Sequence, residues 1–131
     1  IAFKSALMYC LGSYLFVMIK VMYQSPRPFW TSTAIDTYQG YCMFDFASPS
    51  THIFNVVFFL NYNIFMYFQK YSSVPNKPLV GCLYCLNAIY LILLSYGMHV
   101  FGLLYFYQSA ISFLFSFLYL VLCIAFDSEI L

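Results

Sequence analysis

Six residues separate Lys20 from Arg27, and Arg27 sits between Pro26 and Pro28. Two prolines restrict the backbone on either side and hold the guanidinium fork in place. A lysine and an arginine together suit a phosphate, one as a point charge and the other as a planar bidentate donor. The same pair also fits an interfacial lysine whose stem lies along the membrane and a solvated loop arginine. Further on, Ser48-Pro49-Ser50-Thr51-His52 precedes an apolar run. Serine and threonine in that place are helix N-cap residues, and the start of a helix offers free N–H groups and a positive dipole end to an anion. His52 in the first turn is placed to give a proton to a leaving oxygen; an ordinary capped helix with an interfacial histidine reads the same way. His99 follows Gly97-Met98 at the end of another apolar run. An ionisable residue at the edge of a membrane is a functional candidate, and a histidine can attack phosphorus and form a covalent intermediate that water then opens.

Apolar helices must position these groups. The 131 residues are 64% hydrophobic and 7% charged, against about 25% charged in a soluble domain. A chain this apolar could not keep its surface wet as a soluble monomer. A bilayer crossing needs about 20 apolar residues, and four segments qualify, at about 2–22, 52–68, 79–96 and 100–126. The sequence therefore predicts an all-α integral membrane bundle of about four transmembrane helices, one domain over 1–131. Residues 24–51 form a long polar loop with the only tryptophan, Arg27, Asp36 and Asp45. Residues 70–78 form a short loop, and 95–99 read as a tight turn or break. The chain starts at Ile1 rather than Met, which reads as part of a longer protein. Residues 1–23 carry Lys4 and Lys20 and no small-residue cleavage site, so they do not resemble a signal peptide.

With four crossings, the 24–51 loop and the turn before the last helix share one face, and with them Lys20, Arg27, His52 and His99. Lys4, Lys70 and Lys77 lie on the other. The positive-inside rule makes that other face cytosolic and the histidine face lumenal or extracellular. Net charge is +1 with no basic run, so no nucleic-acid partner is implied. Of the cysteines at 10, 42, 82, 85 and 123, four fall in apolar segments, where a cysteine is usually a small packed hydrophobe. Cys82 and Cys85 form a CxxC without the second pair or nearby histidine of a metal centre.

These residues resemble the type-2 phosphatidic acid phosphatase superfamily, which includes lipid phosphate phosphatases and vanadium haloperoxidases. Lys20, six residues, Arg27 and Pro28 match its KxxxxxxRP motif in full. Pro49-Ser50-Thr51-His52 matches three of four positions of PSGH. Of SRxxxxxHxxxD only His99 matches, preceded by Tyr-Gly-Met. The resemblance covers about residues 20–105 and implies the last four helices of a six-helix fold. It implies a metal-independent phosphomonoesterase without cofactor, with Lys20, Arg27, Ser50 and Thr51 holding the phosphate, His52 as general acid and His99 as nucleophile. The implied partners are membrane lipids and a lipid phosphate such as phosphatidic acid. Ile92, Leu93 and Leu103 stand where the family has Ser, Arg and the Asp that orients the nucleophile. An unoriented histidine loses on the order of 10⁴ in rate, by analogy with a triad lacking its aspartate. No side chain substitutes for that aspartate, unless Asp45 reaches across from the loop. The resemblance thus leaves two readings, a phosphatase with impaired activity and an inactive relative that binds a phosphate headgroup or serves as a structural membrane subunit.

Overall fold

A computed structural model describes residues 2–34, 46–71 and 77–130. Asp36, Cys42 and Asp45 lie outside the described residues. The described residues are helical, with no strand among them. Helix α1 spans Ala2–Tyr23 and α2 is one turn, Pro28–Thr31. Helix α3 is continuous through three stretches, Thr51–Phe54, a π-helical Asn55–Leu60, and Asn61–Tyr71. Helix α4 spans Lys77–Val100 and α5 spans Phe106–Ile130.

Three of these are long and apolar enough to cross a membrane: α1 with its continuation to Thr31, α4, and α5 up to Asp127. Their outward faces carry large apolar side chains in the open, including Leu7, Met22, Ile92, Leu93, Phe117 and Phe126. That much exposed apolar surface marks a membrane-embedded protein rather than a soluble one.

The remaining long helix, α3, is more polar because it is the helix the others pack around. Tyr9 of α1 donates to Asn55 at 3.0 Å, and Ser5 of α1 donates to Asn63 at 2.9 Å. Asn87 of α4 donates to Asn61 at 2.9 Å. Three asparagines on one helix thus each take a hydrogen bond from a neighbouring helix, which is how polar side chains are tolerated away from water. The apolar side of α3 is a column of rings at i, i+4 spacing. Phe54 and Phe58 stack at 5.4 Å, Phe58 and Tyr62 at 5.2 Å, and Phe16 of α1 lies 4.2 Å from Phe54. Tyr119 of α5 leans against Phe54 and Phe58 and donates to the Met8 carbonyl at 2.7 Å. Gly12 lets α1 come this close: a Cβ there would lie 2.6 Å from both the Phe54 and the Tyr119 rings.

Where the sequence predicts a break at 95–99, α4 continues through Gly97 to Val100, and α5 begins at Phe106 rather than near 100. A lone glycine costs a helix only about 1 kcal/mol. What stops α4 is Gly102, at φ 66°. Its N–H donates to the His99 carbonyl at 3.0 Å and that of Leu103 to the Met98 carbonyl at 2.9 Å, a Schellman cap. Leu103 and Met98 then meet in one apolar cluster, the contact that accompanies this cap. Gly102→Ala is therefore expected to destabilise the protein by about 1 kcal/mol, since a Cβ is strained at positive φ. Gly97→Ala, with nothing within 4 Å of the new methyl, is expected to be neutral or stabilising by up to about 1 kcal/mol. Thermal unfolding of both variants in detergent checks the contrast; the opposite order would return the break to Gly97.

The cysteine expectation holds only for Cys123, which is buried in the aromatic core; Cys10, Cys82 and Cys85 are exposed. They lie on the outer sides of α1 and α4, where no other helix covers them.

Candidate functional site

The chain leaves α1 at Gln24, whose φ is 43° and whose N–H donates to the Lys20 carbonyl at 3.1 Å. Ser25-Pro26-Arg27-Pro28 follows. Arg27 is the extended N-cap of α2, with Pro28 at its first position, where a missing N–H costs nothing. The returning end of the polar loop is pinned by the Ala47 N–H, which donates to the Ser25 carbonyl at 3.0 Å. Beneath lies the second apolar cluster, Ala47, Ile53, Val57, Met98, Leu103 and Leu104.

Arg27 is buried, at 3% exposure, so it is not the solvated loop arginine that composition allows. Its Nη1 donates to the Leu103 carbonyl at 3.1 Å, and Nη2 makes a longer contact of 3.5 Å to the Phe46 carbonyl. His99, half-buried in the last turn of α4, bonds through Nδ1 to the Leu104 carbonyl at 2.9 Å. A carbonyl can only accept, so Nδ1 carries the proton and a neutral ring keeps its lone pair on Nε2. The ring lies on Phe106 at 4.1 Å. Arg27 and His99 therefore grip consecutive carbonyls of one turn, although 72 positions separate them in the chain.

The partner of His99 Nδ1 is thus the main chain and not a side chain. The side chain of Leu103 is buried in the apolar cluster, but the next carbonyl, that of Leu104, takes the Nδ1 hydrogen. Ile92 and Leu93, at 68% and 63% exposure, lie on the open surface of α4 about two turns below His99.

Lys20 is also buried rather than reaching to the interface, at 7% exposure in the last turn of α1. Ser50 is the N-cap of α3 by position, yet its hydroxyl makes no cap bond. Instead the Ser50 N–H donates to the Ser112 hydroxyl at 2.7 Å. Thr51 is half-buried in the first turn and His52 beside it is exposed. The structure thus links Arg27, Ser50 and His99 through hydrogen bonds to α5 and the turn before it, with Lys20 and His52 at the same end of the bundle.

The linking residues were not singled out by sequence reasoning. Gln108 is fully buried; its Oε1 accepts from the Tyr105 N–H at 2.9 Å, and Nε2 donates to the Ser25 hydroxyl at 2.6 Å and the Pro26 carbonyl at 2.9 Å. One turn on, Ser112 holds Ser50 and donates to the Gln108 carbonyl at 2.7 Å; Ser116 donates to the Ser112 carbonyl at 2.6 Å. The signal is a polar stripe at i, i+4 spacing, Gln108, Ser112 and Ser116, on a mostly apolar helix.

Replacing Arg27 with lysine keeps the charge but loses the fork. One carbonyl of the pair at Leu103 and Phe46 then loses its donor, and Arg27→Lys is expected to cost about 1–3 kcal/mol. Thermal unfolding in detergent measures it; a melting temperature equal to that of the parent would show that the fork bears no structural load. No family model, curated protein or solved structure matches this chain.

Proposed function

We propose that the chain is a four-span membrane phosphatase-like protein that acts on lipid phosphates through a phosphohistidine intermediate. The observation that carries the reading is the docking of Arg27 and His99 on the consecutive carbonyls of Leu103 and Leu104. It brings a cation and a histidine to the same short turn, and a neutral His99 ring bonded through Nδ1 keeps its lone pair on Nε2.

The fourth span is α3. The end of α1 and the end of α4 meet at the Arg27–Leu103 bond. If α1, α4 and α5 each cross, the chain must cross once more between Ser50 and Lys77, and α3 is the helix there. Its asparagines are satisfied by neighbours, so its polarity is no bar. The end with His99 faces the lumen or the exterior, because Lys4, Lys70 and Lys77 mark the other as cytosolic.

In the reaction, Lys20, Arg27, Ser50 and Thr51 hold the phosphate oxygens. His99 Nε2 attacks phosphorus; the N–P bond forms, the P–O bond to the lipid alcohol breaks, and His52 supplies the alcohol with its proton. Water, losing a proton to His52, then displaces the histidine and releases inorganic phosphate. The Leu104 carbonyl steadies the ring as positive charge develops on it. A second reading is an inactive relative that binds a phosphate headgroup or serves as a structural membrane subunit; the commitment of the Arg27 fork to main-chain carbonyls speaks for a structural role.

The deciding experiment is phosphate release from phosphatidic acid by the detergent-purified protein without added metal. A rate no greater than that of the His99→Ala protein ends the enzyme reading, and retained binding of phosphatidic acid vesicles would then establish the second.

A further inference from the structure

At the opposite end of the molecule, the CxxC of α4 is unused by any reading above. Cys82 and Cys85 are both exposed free thiols, three residues apart and so neighbours on one face of the helix. Lys77 is the first residue of α4. At 1.5 Å per residue, Cys82 lies about 7.5 Å and Cys85 about 12 Å along the helix from it. The surface between is clear: Gly81 has nothing within 4 Å of where its Cβ would be. α4 buries only Asn87 and Met98, so the rest of its face near the cysteines meets lipid. Lys70 and Lys77 bracket the connection into α4, which puts this end on the cytosolic side.

We infer that Cys82 and Cys85 are a fatty-acylation site, with Cys82 the principal acceptor. Two exposed thiols just inside the cytosolic boundary of a membrane helix are where reversible S-acylation occurs. The thiolate sulfur attacks the carbonyl carbon of a fatty-acyl thioester. The new S–C bond forms, the carrier's C–S bond breaks, and the carrier leaves as a thiol with the proton. The acyl chain then lies along the open face of α4. Cys123, at 4% exposure inside the aromatic core, is closed to such an attack. Cys10, though exposed, is a single thiol about 12 Å from the start of α1.

The inference rests on the orientation proposed above and not on phosphatase activity. The test is metabolic labelling of the full chain in eukaryotic cells with an alkynyl palmitate analogue, read as hydroxylamine-sensitive label. Label is expected on the parent protein and on a Cys10→Ser, Cys123→Ser variant, and at background on a Cys82→Ser, Cys85→Ser variant. No label on the parent, or label persisting in the Cys82→Ser, Cys85→Ser variant, overturns the assignment. A cysteine at position 77 (Lys77→Cys, other cysteines changed to serine) reports orientation separately. If a membrane-impermeant maleimide reaches it only from the lumenal or extracellular side, the orientation fails and the acylation site fails with it; cytosolic reactivity without label sinks the acylation alone.

Discussion

His99→Ala is expected to bring metal-free phosphate release down to background while leaving the fold in place. The two halves of that result have different causes. In the mechanism proposed above His99 is the covalent nucleophile, so its removal removes the step itself, and losses on the order of 10⁴–10⁶ in rate are typical of such changes. The structural cost is smaller. His99 is half-buried, and its hydrogen bond to the Leu104 carbonyl is worth about 1 kcal/mol. The cap that ends α4 uses the main chain of His99 and not its ring. A His99→Asn protein sharpens the result, since its side-chain amide can still donate toward Leu104 but has no nucleophilic nitrogen. Both variants should be inactive, with the asparagine form closer to the parent in melting temperature. An asparagine form that retained parental turnover would remove the phosphohistidine from the mechanism, whatever became of the site as a binder.

The second large effect lies at the other end of the bundle. Lys4 of α1 forms an ion pair with Asp127 of α5. Asp127 is fully buried, and Lys4 is about one-third exposed. Taking a carboxylate out of water is expensive, and the cost is recovered only while its partner remains. Lys4→Met is therefore expected to destabilise the protein by about 3 kcal/mol, the lower part of the usual 3–5 because Lys4 is partly open to solvent. The double change Lys4→Met, Asp127→Leu removes both charges and is expected to recover most of that loss, since an apolar pair of similar volume is often as stable as a buried ion pair. Detergent unfolding of the two single variants and the double completes the cycle. Equal melting temperatures for Lys4→Met and the parent would mean that the pair does not hold α1 to α5.

The parts of this fold that follow a period were legible in the chain. The helices at α1, α3, α4 and α5 announce themselves as apolar runs, and parity alone brings the polar loop and the last turn to one end. The break that 95–99 suggests lies instead at Gly102, five residues beyond Gly97. Gly97 and Gly102 look alike in sequence, and only the conformation at Gly102 distinguishes the cap from the passenger. Composition also concealed the burial of Lys20 and Arg27, since a lysine at a helix end ordinarily reaches the interface and an arginine in a polar loop is ordinarily wet. The acceptor for His99 could not be read from residue types at all, because it is a main-chain carbonyl, and every residue has one. Gln108 was visible as a polar residue on an apolar helix, but its role depends on where Ser25 and Pro26 return in space.

The three asparagines of α3 also bear on how the protein is made. If α3 is the fourth span proposed above, a segment with Asn55, Asn61 and Asn63 leaves the translocation channel for lipid at a penalty when it leaves alone. The partners that remove the penalty are on both sides of it in synthesis: Tyr9 and Ser5 are already made, whereas Asn87 is not. Helix α3 would thus wait beside α1, two of its three amides engaged, until α4 emerges. On that proposal, integration of α3 is a pairwise event timed by translation, and a ribosome stalled before Asn87 would hold the nascent chain in a half-inserted state.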